Sequence, residues 1–131
     1  MDDDVIILPE SIKRTYALLR FIKNEYKDYF IAGAMLRMDE MNVQHEDGGF
    51  MTKYVNLCHS QKPVRNMNLW DNVLKNEQDY TQDNAYAAWW YCCTPIKLIR
   101  RDNLSLPLFF RTDDIEFGLR NKAKLITMNG I

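Results

Sequence analysis

The stretch Leu106–Asn121, LPLFFRTDDIEFGLRN, joins a very apolar run to three acids, Asp113, Asp114 and Glu116. The run Leu106 to Arg111 reads as extended chain, and Asp113 reads as the start of a helix whose inner face carries Ile115 and Leu119. An apolar extended segment feeding an acid-rich helix start is the recurring unit of an α/β protein. Working outward, Lys124 to Met128 reads as a short strand after that helix. Before it, Ile96, Leu98 and Ile99 predict a short helix stopped by Asp102-Asn103.

The segment Asn84–Pro95, NAYAAWWYCCTP, reads as an extended aromatic stretch, and residues 69–80 as a short helix. Residues 37–68 are polar and irregular, with Gly48-Gly49 marking a turn. A loop that long in a compact domain is usually functional or mobile. The run Tyr29–Leu36, YFIAGAML, reads as one buried strand in which Gly33 and Ala34 mark the close approach of another backbone or a ligand. Pro9-Glu10-Ser11 opens a helix. Ile12, Tyr16, Leu19, Ile22 and Tyr26 form one face of about four turns. Strands and helices alternate along 131 residues without repeats or internal linkers, so the expectation is one α/β domain.

Composition narrows the function classes. With 17 basic and 18 acidic residues the net charge is −1, and Lys and Arg are scattered, which gives no footprint for nucleic acid. The chain is 47% hydrophobic, but no apolar run approaches the ~20 residues that span a bilayer. The three cysteines, Cys58, Cys92 and Cys93, are an odd count with one vicinal pair. That is a poor disulfide framework and suits a reducing compartment, with the thiols as small buried residues. His45, Cys58 and His59 lack the spacing of a zinc site.

Two acid clusters carry the candidate chemistry. Asp113 and Glu116 have the spacing of a capping box, with Asp in place of Ser or Thr, and acids suit a helix's positive end. A helix needs one cap, however, and Asp113 and Asp114 crowd a single turn. Like charges so close raise one another's pKa, which suits a general base. The residues alone leave cap and base open. The chain begins with Asp2-Asp3-Asp4. This reads either as a solvated acidic terminus or as a D-x-D pair, Asp2 and Asp4, on one side of an extended chain. Two such carboxylates suit a hard divalent cation bridging to phosphate. Trp89 and Trp90, if extended, face opposite sides, so one of them lines a cleft where flat rings stack on sugars or bases.

Taken in order, MDDDV with ILPESI, AGAML, WWYCCTP and LPLFFRTDDIEFGLR resemble the bacterial family 2 glycosyltransferases of the galactofuranosyltransferase-like group. The resemblance covers nearly the whole chain. It implies a partial GT-A fold over residues 1–131, a Rossmann-like α/β domain with a mixed sheet and without the N-terminal nucleotide-binding half. It implies Asp2 and Asp4 as ligands of Mg²⁺ or Mn²⁺. Asp114 matches the general base, with Asp113 and Glu116 beside it. Trp89, Trp90, Asp3 and His45 are implied in substrate binding, although the sequence around His45 departs from the family pattern.

The implied partners are a UDP-sugar donor and a saccharide acceptor, in the cytoplasm and peripherally at the inner membrane face. The implied reaction is inverting transfer in cell-surface polysaccharide synthesis. The family also carries a histidine metal ligand after the strand that here ends TMNGI. This chain stops short of it, so the piece by itself is expected to lack turnover. The competing expectation is a non-catalytic binding or assembly fragment that self-associates through exposed strand edges and apolar surface.

Overall fold

The computed structural model describes residues 5–52, 58–77, 82–108 and 112–131. The Asp2–Asp4 cluster therefore lies outside the described residues, as does the end of the apolar run before Thr112. Helices and strands are interleaved, with strands paired in both senses, which makes this a mixed α/β fold.

Helix α1 (Pro9–Phe21) begins as expected, with Pro in its first turn and Glu10 near its positive end. It ends earlier than the apolar spacing suggests. Ile22 is extended, and Tyr26 falls in a separate 3-10 turn over Asn24–Tyr26. Nor does the Ile12–Tyr16–Leu19 stripe enter the core. The buried residue of α1 is Thr15, whose hydroxyl lies 2.7 Å from that of Tyr91. Arg14 on the same helix donates to the carbonyl of Gly130 at 2.8 Å.

The expected single strand over 29–36 is two. β1 (Phe30–Ala32) and β2 (Met35–Leu36) belong to different sheets, and the chain changes sheet at Gly33-Ala34. Close approach at Gly33 is the reason. A side chain there would meet the Tyr91 ring within 2.7 Å, and the Gly33 N–H donates to the Tyr91 carbonyl. The neighbour that the glycine admits is thus a side chain of this chain.

The largest departure concerns residues 37–68, which hold the spine of the larger sheet. β3 (Val43–Met51) pairs along one edge with β4 (Cys58–Lys62) and β5 (Arg65–Asn66), in one antiparallel register from Val43↔Asn66 to Met51↔Cys58. Its other edge takes β2 and β6 (Ala85–Tyr86). Gly48-Gly49 lies inside β3 and makes no hairpin turn. Gly48 has a φ of +66°, and a side chain there would stand 3.0 Å from Leu125.

Helix α2 (Trp70–Glu77) forms where expected and is fixed by buried amides. Asn76 and Gln44 exchange hydrogen bonds at 2.8 and 3.2 Å, Arg65 donates to Asn76 at 2.7 Å, and Asn76 donates to Asn129 at 2.6 Å.

The smaller sheet has the order β7 (Cys92–Cys93), β1, β8 (Leu125–Thr127), with β7 antiparallel and β8 parallel to β1. Over it lies α3 (Asp113–Arg120), whose buried residues are Phe117 and Gly118, between the expected Ile115 and Leu119. Phe117 meets Phe30 and Trp89 edge to face at 6.3 and 6.1 Å, and with Ala32, Ala85 and Leu125 these rings form the core. The tryptophan pair sits in the turn between β6 and β7, so strand alternation does not set where the two rings point. Among the described residues, no helix is long and apolar enough to cross a membrane.

Candidate functional site

The site is organised by α3. A parallel β1–β8 pair and the Phe117 contacts hold the helix against the smaller sheet, and Gly118 lets it approach β6 closely. A side chain at 118 would meet the Cβ of Tyr86 at 2.6 Å and its Cα at 3.0 Å. Residues four apart share a helix face, so Asp114, one turn before Gly118, is on the side of α3 turned toward Tyr86. The charge of Asp114 adds a small upward push to the Tyr86 phenol and to the Cys92 thiol.

The expected capping box does not form. The residue before the helix is Thr112, with φ +81° and no side-chain cap. Instead, each aspartate accepts from the next backbone N–H, Asp113 from Asp114 at 3.1 Å and Asp114 from Ile115 at 2.7 Å. Both acids thus serve first-turn donors that no intrahelical carbonyl can satisfy, at the end of the helix that favours negative charge. Glu116 faces elsewhere. Arg120 Nε meets it at 2.7 Å, and Arg120 also donates to Asn103 and to the Leu104 carbonyl while lying over the Phe117 ring. Glu116 thereby helps tie the loop that precedes the helix.

Trp89 and Trp90 diverge. Trp89 packs on Phe117 and lines an apolar groove of about 720 Å³, shared with Ile12, Tyr16 and Leu19 of α1 and with Tyr91 and Cys92. Trp90 donates its indole N–H to the Gly33 carbonyl at 2.8 Å. Trp89 meets α3 through Phe117, whereas Asp114 lies in the first turn of that helix. His45 is exposed on β3, in the larger sheet. Among the described residues, no group of three or more His, Cys, Asp or Glu side chains could hold a metal ion.

Burial sets the thiol chemistry. Cys92 is pushed up to about 11, chiefly by desolvation, and Cys93 is raised for the same reason. Cys58 departs from the expectation of buried cysteines, because it is exposed.

Two residues with no sequence signal stand out. Tyr86 lies across Gly49, its cross-strand partner, and its hydroxyl would be 2.6 Å from a Cβ at that position. Its neighbours Gly49 and Gly118 are far apart in sequence, so nothing local reveals the slot. Asp47 is completely buried on β3 with neither carboxylate oxygen hydrogen-bonded. Desolvation raises it to about 7, opposed by the charge of Lys62 directly across the strand pair. In sequence, its setting Glu46-Asp47-Gly48-Gly49 reads as a turn.

Comparison with known proteins adds to this geometry. No protein-family model matches the chain. It is 28% identical to the galactofuranosyltransferase GlfT2 of Mycobacterium tuberculosis and 30% identical to GlfT2 of Mycolicibacterium smegmatis. Each alignment covers 92% of this chain. The chain spans about a fifth of the length of these relatives, 20% and 19% respectively. It is therefore similar to one region of two galactofuranosyltransferases, and that region includes the Asp114 helix and the tryptophan turn.

Proposed function

We propose that this chain is the acceptor-binding part of a GT-A domain of a family 2 glycosyltransferase, and that its parent moves a sugar such as galactofuranose from a UDP-sugar donor to a saccharide. The observation that carries this reading is the position of Asp114. It sits in the first turn of α3, one turn before the Gly118 that packs on Tyr86, within a region similar to two galactofuranosyltransferases.

In this reading Asp114 is the general base. An acceptor hydroxyl oxygen attacks the anomeric carbon while the bond from that carbon to the diphosphate breaks. The hydroxyl proton passes to the Asp114 carboxylate, and UDP leaves with the bonding pair. A single displacement of this kind inverts the anomeric centre, and a positioned base contributes typically ~10²–10⁴-fold. Asp113 supports the helix start beside Asp114, and Trp89 offers a flat apolar ring to a sugar face.

Asp2 and Asp4 are the residues proposed to hold Mg²⁺ or Mn²⁺, with Asp3 next to the donor. The ion supplies charge neutralisation to a departing diphosphate. These acids lie outside the described residues, and the described ones gather no group of three or more metal-ligating side chains. A cytoplasmic location, peripheral to the inner membrane face, belongs to the same proposal, as does a role in cell-surface polysaccharide synthesis.

The test is transfer by the full polypeptide that carries this segment, supplied with UDP-galactofuranose, Mn²⁺ and a galactofuranose oligosaccharide. Chain extension with inversion at the transferred sugar is the expected result, and an unextended acceptor across a donor panel would refute the reading.

One observation favours a second reading, that of a non-catalytic, self-associating piece. Ile12, Tyr16 and Phe21 of α1 are 58%, 62% and 89% exposed, an unusual apolar display for a helix. Sedimentation of the isolated chain separates the two. A dimer abolished by Tyr16→Glu supports self-association, whereas a monomer at every concentration removes it.

A further inference from the structure

Gly118 lies inside α3, where glycine is a poor helix residue and calls for a reason. The reason is contact with β6. A Cβ at 118 would stand 2.6 Å from the Cβ of Tyr86, 3.0 Å from its Cα and 3.5 Å from the Ala85 carbonyl oxygen. These atoms are the strand itself and the first side-chain atom on it, so none of them can swing aside. An alanine at 118 would have to lift α3 from β6 by about 1 Å to reach ordinary carbon–carbon contact. Gly49 is different. A Cβ there would meet the outer end of the Tyr86 ring, with the hydroxyl at 2.6 Å, and a ring can turn away.

A lift at Gly118 reaches Asp114. Residues four apart share a helix face, and Asp114 is one turn before Gly118. The later part of the helix is tied down. Arg120 donates to Asn103 and to the Leu104 carbonyl, and the Asn121 amide joins Asn103 to the Phe117 carbonyl. Ala123 N–H donates to the Gly118 carbonyl at 2.9 Å, and Phe117 is set against Phe30 and Trp89. With that part held, the displacement falls on the first turn. The Asp114 carboxylate moves with it, because it accepts from the Ile115 N–H of the same turn. A reacting group misplaced by 1 Å can cost about 10²-fold in rate.

Resting on the glycosyltransferase reading above, we infer that Gly118 is a positioning residue for the transfer, and that its close contact with Tyr86 sets the depth at which α3 presents Asp114 to an acceptor hydroxyl. Gly118 acts through the helix and Tyr86 acts as the stop on which the helix rests. The proton goes to Asp114.

The experiment is a double-mutant cycle on the full polypeptide, with UDP-galactofuranose and a synthetic galactofuranose disaccharide acceptor. It compares wild type, Gly118→Ala, Tyr86→Gly and the double variant, beside Gly49→Ala and Asp114→Asn. Tyr86→Gly takes away the Cβ that an alanine at 118 would strike, so the cycle reads that contact. In the wild-type background, Gly118→Ala is expected to lower kcat about 10²-fold with donor KM unchanged. In the Tyr86→Gly background the same substitution should change kcat by less than about 5-fold, and Gly49→Ala should stay within about 5-fold of wild type. A Gly118→Ala chain that fails to fold, or whose thermal midpoint falls while kcat holds, assigns the glycine to stability and overturns the positioning role. An equal loss of kcat in both backgrounds overturns it too. With wild type active and Asp114→Asn inactive, these results leave the transferase reading standing. No transfer by wild type overturns both.

Discussion

Replacing Asp47 with Asn should make stability less dependent on pH, and the size of the effect follows from burial. The carboxyl has no exposed surface and no hydrogen bond, and it titrates near 7 in the fold. In the unfolded chain an aspartate titrates near ~3.9. The folded value is raised, so the folded state binds the extra proton. The contribution is fully present below about pH 4 and is lost as pH rises through about 7. At about 1.4 kcal/mol per tenfold change in proton affinity, the loss is of order 4 kcal/mol by pH 8. Asn resembles the protonated carboxyl in shape and does not titrate. Urea unfolding of both proteins at a series of pH values from 4.5 to 8 measures the difference. Nearly equal stabilities are expected at the acid end, with the variant gaining steadily up to about 4 kcal/mol at pH 8. A difference that stays constant with pH would refute the reasoning, since it would mean that Asp47 does not change its proton affinity on folding.

Asn76→Leu should cost about 3 kcal/mol in the same unfolding assay, because it leaves Gln44, Arg65 and Asn129 without a shared partner; a loss below about 1 kcal/mol would show that water replaces the amide. Thr112→Gly should stabilise the chain by about 1 kcal/mol, since a β-branched residue at φ +81° is strained and glycine is not, and a destabilised variant would contradict that. Brief alkylation at pH 8, read by peptide mass spectrometry, should label the exposed Cys58 well before Cys92, which is held near 11; equal labelling would contradict the burial of Cys92.

The parts legible in the sequence were those with a local cause. Pro9 and Glu10 announce α1, the acids at 113–116 announce α3, and the short apolar segments announce β1 and β8. β3 was not legible, because its stability comes from pairing on both edges. A polar strand with two central glycines has no alternation to display, and its glycines answer to Leu125 and Tyr86, which are distant in sequence. The end of α1 failed for a related reason. Spacing continues through Tyr26, but the chain turns at Ile22, and the helix buries Thr15 against the Tyr91 hydroxyl in place of its apolar stripe. At the candidate site, sequence order singled out Asp114 and Trp89 as candidates. It could not find that Glu116 is engaged by Arg120, or that Tyr86 occupies a slot made by two glycines.

Asp114 is the residue on which the functional account stands. The most direct measurement is single-turnover transfer by the full polypeptide with Asp114→Asn beside wild type, at saturating UDP-galactofuranose and acceptor. Asn keeps the size of the side chain and an oxygen that can accept from Ile115 N–H, so the helix start is preserved while the base is removed. The account predicts a transfer rate lower by about 10²–10⁴-fold with acceptor binding retained. A rate within a few-fold of wild type would contradict it.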